Sequence, residues 1–159
     1  MISRWDQGRE TVKLFLRDGT LQEVPPNRDQ ADRLLETAHA HLRSAAAIAE
    51  DDPDGAYAMC YDAARKALTA VLANQGLRPR SGAGAHAKLI DTVMAQLDPP
   101  LGSIIKPVDR MRIRRNRVEY PSDEVAPVDS TEVSETIPKV EKVLQTTRTV
   151  LDQMPAWTN

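Results

Sequence analysis

The chain has 159 residues, a formal net charge of −2, 4% aromatic residues and a single cysteine, Cys60. This length buries one core without covalent staples, and a lone cysteine excludes a disulfide framework and any zinc site of the paired-cysteine kind. The near-balanced charge excludes a global basic field, so any anion site must be local.

Ala and Leu dominate the apolar set, which favours close-packed helices over a sheet. The opening residues Met1 to Asp6 carry no basic region followed by an apolar run, so no secretory signal is read. No apolar stretch approaches the roughly 20 residues of a membrane span. A cytoplasmic protein is expected.

Residues 1–28 form an N-terminal arm ahead of a bundle over 29–159. Trp5, Val12, Phe15 and Leu16 line one face of a short helix over 9–17, closed by Asp18-Gly19. This reading is preferred to a hairpin that would pair 12–16 with 21–24 across Asp18-Gly19-Thr20. Pro25-Pro26 ends the arm.

A first strong helix is predicted over 29–50, with Ala31, Leu34, Leu35, Ala38, Leu42 and Ala45 as its buried stripe. Asp51-Asp52-Pro53 stops it, and Asp54 is the expected cap of a second helix over 54–74. That helix is rich in alanine, which lets neighbouring axes approach closely. Gly76 is its expected C-terminal cap.

A loop over 77–84 leads to a third helix over 85–97. Asp98-Pro99-Pro100 then breaks the chain. The next helix is expected to begin with Pro107 at its first position, with Asp109 in the first turn, and to end before Pro121. A last helix over 131–154 carries Val133, Ile137, Val140 and Leu144, and Pro138 either kinks it or marks its start. The fold expected is an all-α, up-and-down bundle of about five helices.

The penultimate helix carries the strongest chemical signal. Five arginines fall within the eight residues from Arg110 to Arg117, and a guanidinium is a permanently charged, planar fork matched to phosphate and carboxylate. At about 100° per residue, Val108, Met111, Arg112, Arg115, Val118 and Glu119 share one side. Arg110, Arg114 and Arg117 are read as a solvated outer face. A partly buried guanidinium needs a partner. Glu119 is placed to serve Arg115, Asp62 is a candidate from across the bundle, and Asp109 is a further supporting carboxylate.

The remaining polar features are weaker. His39 and His41 point about 200° apart on their helix, cannot share a metal ion and read as surface residues. His86 at a helix opening reads as a loop-to-helix contact, with an anion contact as the alternative. Ser81-Gly82-Ala83-Gly84 lacks the lysine and spacing of a P-loop. Tyr57 and Tyr61 read as core-edge packing, with a hydroxyl in reach of the arginines. No cofactor and no metal site are read.

Three segments in order resemble the HEPN family of small prokaryotic helical bundles. They are the run from Ala56-Tyr57 through Tyr61 and Arg65-Lys66 to Leu68, the opening Gly84-Ala85-His86 to Leu89-Ile90, and Arg115-Asn116 near the end of the penultimate helix. The ending Arg115-Asn116-Arg117-Val118-Glu119-Tyr120 is similar to an actinobacterial branch. The resemblance implies a homodimer joined through the arginine helix, a toxin–antitoxin or defence setting, and a cognate antitoxin or nucleotidyltransferase-like partner.

Active members of the family cleave RNA without metal, using an arginine followed after four to six residues by histidine. Here that position is Tyr120, and Glu119 precedes it. A tyrosine of pKa about 10 is a poor base at neutral pH, and the arginines oppose a raised pKa at Glu119. The resemblance therefore implies RNA or phosphate binding by Arg112, Arg115 and Asn116, with Asp62 and Asp109 as supporting ion-pair partners. If the protein turns over RNA, Arg115, Glu119 and Tyr120 are its candidate catalytic residues. The alternative is an inactive module that binds a protein partner, or a structural dimer with the arginines in ion pairs.

Overall fold

The computed structural model describes residues 5–120, 122 and 124–159; expectations that fall on residues 1–4 and on Pro121 lie outside them. Among the described residues the elements run α1 (Arg9–Arg17), β1 (Leu21–Glu23), α2 (Arg28–Ile48), α3 (Pro53–Gln75), β2 (Leu77–Pro79), α4 (Ala85–Leu97), α5 (Gly102–Glu119) and α6 (Ser130–Gln153). The architecture is the all-α bundle expected, with a two-stranded sheet attached.

The helix α3 is the central post. Alanines 56, 63, 64, 67 and 70 are fully buried along it, and α2, α6, α5 and α4 all pack on it. The small side chains permit this close approach from several directions. Its partner α2 buries Ala31, Leu35, Ala38, Leu42 and Ala45, the stripe set by the three-and-four spacing.

The turn between α2 and α3 is capped by Asp52, whose side chain accepts from the Gly55 N–H at 3.0 Å. Pro53 occupies the first helical turn. The expectation of Asp54 as cap is corrected: proline suits the first turn because its missing N–H would be unpaired there, which moves the cap back to Asp52. At the other end Gly76 closes α3 with φ of 84°. A Cβ there would meet the Val24 carbonyl oxygen at 2.6 Å, so both the conformation and the close approach require glycine.

The segment after Gly76, expected as loop, contains a strand. β1 and β2 pair antiparallel in the register Leu21 to Pro79, Gln22 to Arg78 and Glu23 to Leu77. The hairpin alternative is overturned in its pairing: α1 is helical, and Leu21–Glu23 pairs with the strand that follows the C-terminal end of α3. Leu21 and Leu77 are both buried, so two short strands of modest local propensity are held by the core beneath them.

The start of α5 is the largest revision. It begins at Gly102, with Pro107 inside the helix. Ile105 and Val108 are buried on one face, and this anchors the extra turn. The proline forgoes a bond to the carbonyl of Ser103, an exposed residue where water can take its place. Pro138 likewise lies inside α6, which starts at Ser130 and is capped by Asp129 accepting from the Glu132 N–H at 2.8 Å.

Candidate nucleic-acid interface

The stripe Val108, Met111 and Val118 seats α5 on the bundle, with Val108 and Met111 buried and Val118 packed against the core. The arginines are distributed around this seat. Arg112 donates from Nε to Asp109 Oδ1 at 2.8 Å. Arg115 Nη2 lies 2.9 Å from Glu119 Oε1, and its Nη1 makes a long 3.4 Å contact with Asn116 Oδ1. Arg112 and Arg115 are thus each held by one carboxylate, leaving other N–H groups of each fork for an incoming anion.

Arg114 departs from its expected place on a solvated face. It donates from Nε and Nη2 to the two oxygens of Glu132 at 2.8 and 2.9 Å, and from Nη1 to the Ala126 carbonyl at 2.8 Å. Position 114 lies only about 60° around the helix from Met111, on the flank that faces α6. With its whole fork engaged, Arg114 is a structural clamp between α5 and the start of α6. Arg110 and Arg117 are exposed.

Arg115 separates two hollows in the surface. One, of about 250 Å³, is lined by Asp54, Gly55, Tyr57, Ala58, Val118 and Glu119 together with Arg115. The other, of about 310 Å³, brings Arg115 together with Arg65, His41, Tyr61, Asp62 and His86. Four elements meet here: α2 supplies His41, α3 Tyr61, Asp62 and Arg65, α4 His86, and α5 Arg115. The guanidinium of Arg115 lies 5.9 Å from the centre of the Tyr61 ring. The Tyr61 hydroxyl lies 3.0 Å from His86 Nδ1.

Asp62 is the ionic hub of this cleft. It pairs with Arg65 and Lys66 of its own helix, and its Oδ2 lies 3.3 Å from His41 Nε2 of α2. Its ion pairs run to those residues and not to Arg112 or Arg115. Burial works to raise its carboxyl pKa, but the hydrogen bonds from Lys66 and Arg65 outweigh it, so the group is held below its ordinary range.

Two other groups in the cleft are shifted. His86 is pushed below the ordinary histidine range by desolvation and by the positive charges of Arg65 and Arg115, so its ring is neutral near pH 7. Burial raises the Tyr61 hydroxyl to about 12, which keeps its proton in place. Tyr120, by contrast, is 80% exposed beyond the last turn of α5 and does not line the cleft. Asn116 is also exposed.

His41 and Arg65 are not functional candidates in the sequence, and His86 is one only through its alternative as an anion contact. His41 had a usable signal, since it immediately precedes Leu42 and follows Ala38 by three, which puts it on the border of the buried stripe. His86 and Arg65 lie in two of the segments that resemble the family, but only the packing of α4 on α3 brings them together.

A family model described as HEPN domain matches residues 29–150. The chain belongs to the HEPN family. No curated protein and no solved structure gave a significant match. The HEPN match covers α2 to α6 up to Val150, so every residue of the cleft lies inside it, while α1 and β1 precede it. Among the described residues of this HEPN protein, no helix is long and apolar enough to cross a membrane.

Proposed function

We propose that this HEPN protein binds RNA, with Arg112, Arg115 and Asn116 contacting the phosphate backbone. Membership of the family points in general terms to an RNA-related or nuclease-like role. The observation that carries the finer reading is Arg115, held by a single carboxylate at the rim of a cleft that also contains Arg65. Two guanidinium groups facing one hollow form a site for a phosphate dianion or a folded phosphodiester strand.

The protein acts as a homodimer joined through α5. Of the three large hydrophobic residues that stand exposed among the described residues, Ile113 lies on α5 and Tyr120 directly after it. Exposed Arg110 and Arg117 flank them, so a paired α5 surface would present a basic rim to nucleic acid. The setting proposed is a cytoplasmic toxin–antitoxin or defence system, in which a metal-independent endoribonuclease or an RNA-binding accessory would act beside a cognate antitoxin or nucleotidyltransferase-like partner.

One observation favours the second reading, an inactive module with a structural arginine helix: Arg112, Arg114 and Arg115 each have a carboxylate partner already. The two readings separate in one experiment. Fluorescence anisotropy with single-stranded RNA should give binding that weakens steeply with salt, because phosphate contacts release counterions. Binding that is absent at low salt, with melting temperature lowered by Arg112→Ala and Arg115→Ala, would establish the structural reading.

A further inference from the structure

We propose that His86 of α4, working with His41 of α2, is the proton-transfer group of a phosphodiester-cleaving site built within one protomer. This rests on the RNA reading above and assigns the chemistry to the interhelical cleft instead of to Glu119 or Tyr120. The α5 helix itself presents neither a histidine nor an inward-facing substitute. Glu119 is committed to Arg115, and Tyr120 projects into solvent away from the cleft. The tertiary structure, however, sets two imidazoles in the same hollow as two arginines.

Each imidazole is held through one nitrogen. His86 is fixed at Nδ1 by the Tyr61 hydroxyl at 3.0 Å, and His41 is fixed at Nε2 by Asp62 at 3.3 Å. The Asp62 carboxylate can only accept, which sets Nε2–H on His41, whereas the Tyr61 hydroxyl can donate or accept and so admits either tautomer of His86. When Nδ1–H of His86 donates to Tyr61 Oη, Nε2 carries the free lone pair of a base. The ring stays neutral near pH 7 because it is desolvated and faces Arg65 and Arg115.

The substrate class that matches is a ribose phosphodiester, whose 2′-hydroxyl supplies the nucleophile. His86 removes the 2′-hydroxyl proton as O2′ forms a bond to phosphorus. The P–O5′ bond breaks, and His41 in its protonated form gives a proton to the departing O5′. Arg115 and Arg65 hold the non-bridging oxygens as charge builds on them. The products are a 2′,3′-cyclic phosphate and a 5′-hydroxyl end, and the two histidines exchange their proton states with water afterwards. No oxidant, reductant or further reactant is consumed.

The test uses the full chain with a randomised single-stranded RNA in excess chelator, beside His86→Gln, His41→Gln and Tyr61→Phe. Wild type should release fragments ending in cyclic phosphate, and an all-2′-deoxy strand should stay intact. His86→Gln should lower the rate by about 10² to 10⁴-fold while the variant still binds RNA and still melts as a folded protein. Tyr61→Phe should shift the acidic limb of the pH–rate profile, an effect that mere loss of packing would not produce.

Binding without cleavage by wild type would overturn the histidine assignment and leave the RNA reading standing. Failure to bind any RNA would remove both. Cleavage that survives in His86→Gln and His41→Gln would overturn the assignment and return the chemistry to α5.

Discussion

Neighbouring arginines with the same charge should behave oppositely in RNA binding, and this separates direct phosphate contact from net charge. The comparison uses two double variants, Arg115→Ala with Glu119→Ala and Arg114→Ala with Glu132→Ala. Each removes one positive and one negative charge, so the net charge stays at −2. Arg115 has a single carboxylate contact and borders the cleft, whereas Arg114 is engaged at Nε, Nη1 and Nη2.

For single strands each neutralised phosphate contributes about 0.7 to the slope of log affinity against log salt. Removing Arg115 with Glu119 should therefore flatten the slope by about 0.7, and weaken binding about 2.5-fold more at ~50 mM than at ~200 mM salt. Removing Arg114 with Glu132 should leave the slope unchanged. Anisotropy titrations across that salt range read both quantities directly. Equal slopes for the two variants, or a larger change for the Arg114 pair, would refute the claim that Arg115 meets phosphate.

The clamp itself predicts a loss of stability: Arg114→Ala should cost about 1–2 kcal/mol in denaturant melts, since a bidentate charged pair is stronger than a surface bridge yet partly screened by solvent. Arg110→Ala, lacking such a clamp, should fall within about 0.5 kcal/mol of wild type. In the core, Gln75 and Gln96 exchange two amide hydrogen bonds at 2.6 and 3.1 Å between α3 and α4. Gln96→Leu should cost about 1–3 kcal/mol by orphaning its partner, and the double change to leucine should recover part of that loss.

Acid should destabilise the fold by two routes. The folded pKa of Asp62 is depressed, so its contribution is present above the unfolded carboxyl value and is lost as pH falls through the folded one. The folded pKa of His86 is also depressed, so the fold is favoured above the ordinary histidine value of 6.5 and that contribution is lost as pH falls through the lower, folded one. Melting temperature against pH should show both steps, with the lower step missing in Asp62→Asn and the upper one missing in His86→Gln.

Periodicity carried most of the helical content. In α2 the recurrence of Ala31, Leu35, Ala38, Leu42 and Ala45 specifies the buried face, because a helix repeats its faces every three to four residues and needs no distant information. Gly76 was readable for the same local reason. Local signals misled where burial outweighed them. Pro107 reads as a helix start, yet Ile105 and Val108 bury enough apolar surface to carry the helix through it. Leu77–Pro79 reads as loop, and it becomes a strand only because Leu21–Glu23 arrives opposite it.

The candidate site divides in the same way. Arg115, Asn116 and Glu119 lie within one turn of a single helix, so their proximity follows from spacing alone. Whether a guanidinium on that helix is clamped or open depends on what lies across from it, and Glu132 of α6 decides this for Arg114.

By itself the sequence determined the helical class, the buried stripes and the presence of concentrated positive charge on one helix, all of which are set by residues within a few turns of each other. The tertiary structure alone decided that His41, Arg65, His86 and Arg115 surround one hollow. These residues come from four helices, and their meeting depends on how those helices dock on α3, which is set by long-range packing of small side chains.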